Sequence, residues 1–167
     1  MLKRVIKIAP KFILAWHELS NALREQGKDE EAIELLEEAL LFDTENATTH
    51  YQLAAALAVA GRTADSASAY KKAVQIDPNL VGAYLGLGHT LKTMGDLEGG
   101  IAAYKRARKL KPNIGEISFS LSNLKTFRFS DLEIEDMKRR LNNPNLDQPT
   151  KFAFSFSLGK AYEEMKK

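Results

Sequence analysis

The sequence predicts an all-α fold, an α-α superhelix built from antiparallel helix pairs. Three observations predict it. Written in lines of 34 residues from Ile13, Ala47, Val81 and Gly115, the chain aligns in columns. Trp16, His50, Tyr84 and Ser118 share one column, and Leu19, Leu53, Leu87 and Leu121 share the next. Within each line apolar residues recur at spacings of three and four, which puts one stripe on each of two helices. Between the two stripes stand Gly27, Gly61 and Gly95, where a first helix must end and reverse.

Residues 1–12 read as the tail of a preceding repeat helix, with Leu2 and Val5 in its core columns and Pro10 closing the line. Residues 13–46, 47–80 and 81–114 are complete lines. Ala32, Ser66 and Gly100 occupy the column where the two helices of a pair cross, and their small size lets the axes approach. Leu36, Tyr70 and Tyr104 follow, then Ala39, Ala73 and Ala107, while Pro78 and Pro112 end their lines. Residues 115–150 form a modified repeat and loop: Leu121 keeps register, Lys125 stands where leucine is expected, and the turn glycine is missing. A second helix is expected from Ser130, a suitable N-cap, to near Leu141, followed by "NNPNLDQPT" as loop. Residues 151–167 read as the first helix of an incomplete further repeat. Phe152, Phe154 and Phe156 alternate as they would on a strand, but "SLGKAYEEMKK" continues with helical spacing. The expectation is therefore a helix that is apolar on more than one face.

Composition excludes several functions. The chain has 167 residues, Lys+Arg 24 against Asp+Glu 22 and a formal charge of +2, too little excess to neutralise a nucleic-acid backbone. It contains no cysteine, so thiolate catalysis, disulfides, sulfur-ligated zinc and iron–sulfur clusters are excluded. The run "YQLAAALAVA" is too short to cross a bilayer, which takes about 20 apolar residues. No signal-peptide cleavage site follows the start, and the expected location is cytoplasmic.

The columns resemble the tetratricopeptide repeat (TPR), in which helix pairs stack into a solenoid with a concave groove lined by the first helices. A narrower resemblance lies in "LSNLKTFRFSDLEIEDMKRRL" and "FSLGKAYEEMKK", which look like the last repeats of bacterial proteins in which TPRs precede a sulfotransferase domain. That resemblance implies a C-terminal catalytic domain using phosphoadenosine phosphosulfate as donor. The chain itself has no phosphate-cradling motif between strand and helix, so no cofactor site and no catalytic residue is expected in it. On this reading the chain alone is not an enzyme, and the natural protein continues after Lys167. The alternative is a stand-alone adaptor with no catalytic partner.

The expected partner is a protein or peptide in the concave groove. The columns that point inward name His17, Asn21 and Arg24, then Tyr51, then His89 and Lys92, then Phe119, Asn123 and Phe127. Asn21 and Asn123 share a column, and an asparagine there can hold a peptide backbone through both amide functions. Some TPR proteins grip a terminal carboxylate with lysines and an arginine. Here Gly82 and Gly86 stand where the third repeat's basic residues belong, so a smooth uncharged wall is expected instead. The three histidines lie in different repeats, and no metal site is expected. The half-repeats at both ends leave apolar surface uncapped, which makes end-to-end self-association a further expectation.

Overall fold

Each predicted helix start coincides with a change in local chemistry, and the computed structural model describes residues 2–166 and the side chains of residues 4–166. Among the described residues there are ten α-helices and no strand. In order they are α1 Leu2–Ile8, α2 Ile13–Glu25, α3 Asp29–Leu40, α4 Ala47–Val59, α5 Thr63–Ile76, α6 Val81–Thr93, α7 Leu97–Leu110, α8 Gly115–Ser122, α9 Asp131–Leu141 and α10 Gln148–Met165. The core role expected of Leu2 lies outside the described side chains. The chain divides into two compact units, Met1–Gly95 and Asp96–Lys167.

In the first unit α1 packs on α2, and α2 to α6 pack each on the next; α4 also touches α2 and α6. The turn glycines reverse the chain because each has a left-handed backbone, with φ of 72° at Gly27 and 77° at Gly61. A side chain there would be strained. Ala32, Ser66, Ala39 and Ala73 are fully buried at the helix crossings. Ser66, the polar member of its column, satisfies its hydroxyl by donating to the carbonyl of Ala54 at 2.8 Å. His50 shares a column with aromatic core residues but is half-buried. Its Nε2 donates to the Thr44 carbonyl at 2.9 Å, closing the loop before α4.

In the second unit α8 packs on α7 and α10, and α9 packs on α10. Gly115 sits so close to α10 that a Cβ there would lie 2.8 Å from the Ala153 Cβ and 2.9 Å from the Thr150 Cα. The modified repeat departs from its regular relatives because α8 stops at Ser122. The chain then turns through residues 123–130 with Leu124 and Phe127 buried. Leu124, rather than Lys125, takes the inward place once the helix has ended, so the lysine costs the core nothing. Ser130 starts α9 with a reciprocal cap: its Oγ accepts from the Glu133 amide, and Glu133 Oε2 accepts from the Ser130 amide at 2.8 Å.

The loop expected over "NNPNLDQPT" is shorter than the sequence suggested. The helix α10 begins at Gln148, with Asp147 Oδ1 accepting from the Thr150 amide at 2.8 Å. Pro149 does not break it, because a proline in the first helical turn loses only an amide that would have had no helical partner. The alternating phenylalanines behave as helical residues: Phe154 is fully buried and Phe152 is 66% exposed.

Candidate functional site

The first helices of successive pairs place the predicted groove residues, and each unit presents its own face. In the first unit that face is carried by α2, α4 and α6. His17, predicted to meet a ligand, is only 8% exposed. Its Nε2 lies 2.7 Å from Thr49 Oγ1 on α4. The Thr49 hydroxyl donates its own proton to Asn46 Oδ1 at 3.0 Å, and Asn46 in turn donates to Asp43 at 3.0 Å. Thr49 can therefore only accept from His17, which places a proton on Nε2. This is a correction: His17 ties α2 to α4 and does not face a ligand, because its ring completes a buried hydrogen-bond chain.

Burial holds the His17 pKa below the ordinary 6.5, with the Glu18 carboxylate partly opposing it. Above pH 6.5 the folded and unfolded chains both carry a neutral His17, and its contribution is flat. As pH falls below that value the unfolded chain takes up the proton first, so stability declines until the folded imidazole also titrates. Urea unfolding at pH 7.5 and 5.5 is expected to show a larger loss for the wild type than for His17→Gln. Equal losses would refute the assignment.

Asn21 and Arg24 are half-buried and line a recess with Glu25. The Arg24 Nε is buried and makes no hydrogen bond, the nearest acid being Asp29 with Oδ1 at 3.9 Å. Tyr51 is half-buried, and its ring centroid lies 6.1 Å from that of Tyr70. Tyr70 was missed in the groove reading because it belongs to a second helix. Its ring is 5% exposed and rests on Gly86, where a Cβ would overlap the phenol. Gly82 meets Tyr51 in the same way, with a Cβ position 3.2 Å from the ring. The expected smooth wall is thus a corrected feature: two tyrosine rings fill the room left by the glycines. The absence of side chains at 82 and 86, opposite two tyrosines, was the available signal. Burial pushes the Tyr70 phenol up to about 12, with Tyr51 adding to the rise and Arg24 opposing it, so it remains a hydrogen-bonding hydroxyl at neutral pH. His89 and Lys92 are exposed on α6.

In the second unit α8 and α10 carry the corresponding face. Phe119 is half-buried and packs against Phe156 at 4.9 Å between ring centroids. Phe156 lies 6.3 Å from Phe152. Phe119 and Phe152 border an open apolar cleft of about 380 Å³ floored by Ile114, Gly115, Pro149 and Ala153. Asn123 is exposed. It caps the end of α8, and its Nδ2 donates to the Phe119 carbonyl at 3.0 Å. Phe127 is a second correction: it is 5% exposed, set edge-on against Phe129 at 4.9 Å, and belongs to the core. Both placements follow from the early end of α8, which takes positions 123–127 off the helix. Phe152 and Phe156 join the face instead.

Among the described residues no group of three His, Asp or Glu side chains is arranged to hold a metal. Among the same residues no helix is long and apolar enough to cross a membrane.

Stacked antiparallel pairs with small residues at their crossings define a helical-repeat protein. Family models agree at the level of sequence: one described as TPR repeat matches residues 20–61, and one described as tetratricopeptide repeat matches residues 81–114. The chain carries tetratricopeptide repeats and has the fold of a TPR solenoid. Among solved structures, YrrB, described as a TPR protein with an unusual peptide-binding site, is 17% identical with a TM-score of 0.74, covering 99% of this chain and 84% of that one. MamA is 21% identical with a TM-score of 0.69, covering 99% and 85%. The first TPR of Spaghetti (RPAP3), bound to the HSP90 peptide SRMEEVD, is 26% identical with a TM-score of 0.62, covering 64% of this chain and 84% of that one. No curated protein matches the chain.

Proposed function

We propose that the chain is a non-catalytic scaffold that binds a peptide segment of another protein on the first-helix faces. The observation that carries this reading is that each unit keeps an open recess on its own first-helix face. In the first unit Asn21, Arg24 and Glu25 line a polar recess, and in the second the Phe119–Phe152 cleft offers a pocket for an apolar side chain. Peptide binding by YrrB and by the RPAP3 repeat, on the same fold, supports it.

Selection from a displayed peptide library, followed by fluorescence anisotropy, tests the proposal. Peptides selected on the first unit's face are expected to lose about tenfold in affinity with Asn21→Ala, and those selected on the second unit's cleft about tenfold with Phe152→Ala, a loss of about 1.4 kcal/mol in each case. Neither change should disturb folding, since Asn21 is outside the buried core and Phe152 is exposed. Failure to select any peptide, or affinities indifferent to both substitutions, would sink the reading.

The finer form of the proposal makes this scaffold the substrate-side arm of a sulfotransferase. It rests on the spelling of residues 121–141 and 156–167. The donor phosphoadenosine phosphosulfate needs a loop between strand and helix, and no strand occurs among the described residues. The residues present therefore do not fit the donor, and its binding would fall to a segment beyond Lys167. Sequencing of the natural protein past that residue separates this form from a stand-alone adaptor.

A further inference from the structure

The altered turn of residues 123–130 has an effect on the opposite helices of its unit. On α7, Lys105, Arg108 and Lys109 fall at helical spacings of three and four and share one side. With Arg140 of α9 they wall an open cleft, together with Glu133, Asp136 and Pro112. Both acids in that cleft are already committed. Glu133 Oε1 accepts from Arg108 at 2.9 Å while its Oε2 caps Ser130. Asp136 accepts from Arg140 at 2.7 Å and also from Arg139, and these guanidinium bonds hold its carboxyl below the usual range. Lys105 and Lys109 are exposed and make no ion pair among the described residues. The cleft thus carries an uncompensated positive charge.

Three of the four cations, Lys105, Arg108 and Arg140, are also held in place before any ligand arrives. Lys105 Nζ sits 5.3 Å from the Phe127 ring centroid, and the Arg108 guanidinium lies 5.6 Å from that of Phe129. Arg140 is tied to Asp136 and donates to Asn113 Oδ1. Side chains fixed in this way lose less freedom on binding. Phe127 and Phe129 come from the segment that breaks the repeat's regular spelling, so the irregular turn supplies the rings against which Lys105 and Arg108 rest.

We propose that the cleft between α7 and α9 docks an acidic segment of a partner protein, whose carboxylates pair with Lys105 and Lys109. A peptide fits better than a nucleic acid. Glu133 and Asp136 interrupt the positive wall and oppose a continuous phosphate backbone, whereas separate carboxylates can be spaced between them. The surface is distinct from the first-helix face of the proposed function, and it can be tested apart from it.

The test uses the full chain and a fluorescein-labelled peptide of alternating Glu and Gly, read by anisotropy at low salt. Lys105→Glu/Lys109→Glu is expected to weaken binding about tenfold or more. The control Lys7→Glu/Lys11→Glu changes net charge equally on exposed residues of the other unit and should leave affinity within about twofold, as should Asn21→Ala. Amide shifts on adding the peptide should concentrate in α7 and α9. The proposal is overturned if the wild type does not bind, if the control reversal weakens binding as much as the cleft reversal, or if duplex DNA competes as well as the acidic peptide. Circular dichroism of the cleft variant guards against loss of fold, and in that event the single exposed change Lys109→Glu must still weaken binding at least threefold.

Discussion

Trp16→Ala is expected to lower the unfolding free energy by about 3–5 kcal/mol, the range for removing a buried large aromatic. Trp16 is 1% exposed and packs with Ile6, Ala15 and Ala39, bordered by Val5, Ile13, Leu19 and Leu35. Its ring lies 5.6 Å from that of Phe42, and Nε1 donates to the Pro10 carbonyl at 2.8 Å. Alanine removes all of this and leaves a cavity that the surrounding small residues cannot fill. The loss compares with a total stability of about 5–15 kcal/mol for an ordinary domain. In a repeat array each element leans only on its neighbours, so faster amide exchange should concentrate in α1, α2 and α3. Because Trp16 is the chain's one tryptophan, urea unfolding must be followed by far-ultraviolet circular dichroism. A loss below about 1 kcal/mol would mean that the Trp16 pocket does not hold the first pair together.

Phe154→Ala is expected to cost a similar 3–5 kcal/mol in the second unit, whereas Phe152→Ala should stay within about 0.5 kcal/mol. Phe154 is fully buried among Ile134, Met137, Leu158 and Ala161, with Phe129, Leu141 and Leu146 alongside. Phe152 is 66% exposed. On a helix, residues two apart point about 200° from each other; on a strand they would share a face. The contrast between the two variants therefore tests the helical reading of α10 as well as its packing. Equal costs for both would contradict it.

How far the sequence could be read depended on what kind of physics each residue obeyed. The crossing residues Ala32 and Ser66, the buried Trp16 and the left-handed turn glycines were legible because a 34-residue period forces the same local problem on each copy. The candidate site was less legible. Column position named Asn21 and Arg24, which line one recess, but it could not reveal that His17 spends its ring on Thr49. Nor could it foresee Tyr70 reaching past Gly86 from the second helix of its pair, since that contact joins residues of different columns.

The modified repeat shows where the division lies. Ser130 was readable as an N-cap, and the helix that follows with it, because a cap is a bond pattern spanning four residues that Glu133 completes reciprocally. The early end of α8 was not readable. It depends on Leu124 and Phe127 finding buried places, and with it went the groove role expected of Phe127. By itself the sequence determined the all-α class, the helix pairs and their turns, because those follow from periodicity, caps and backbone preference over a few residues. Only the tertiary structure decided which faces of those helices remain open to a ligand, because burial is settled by neighbours that lie far away along the chain.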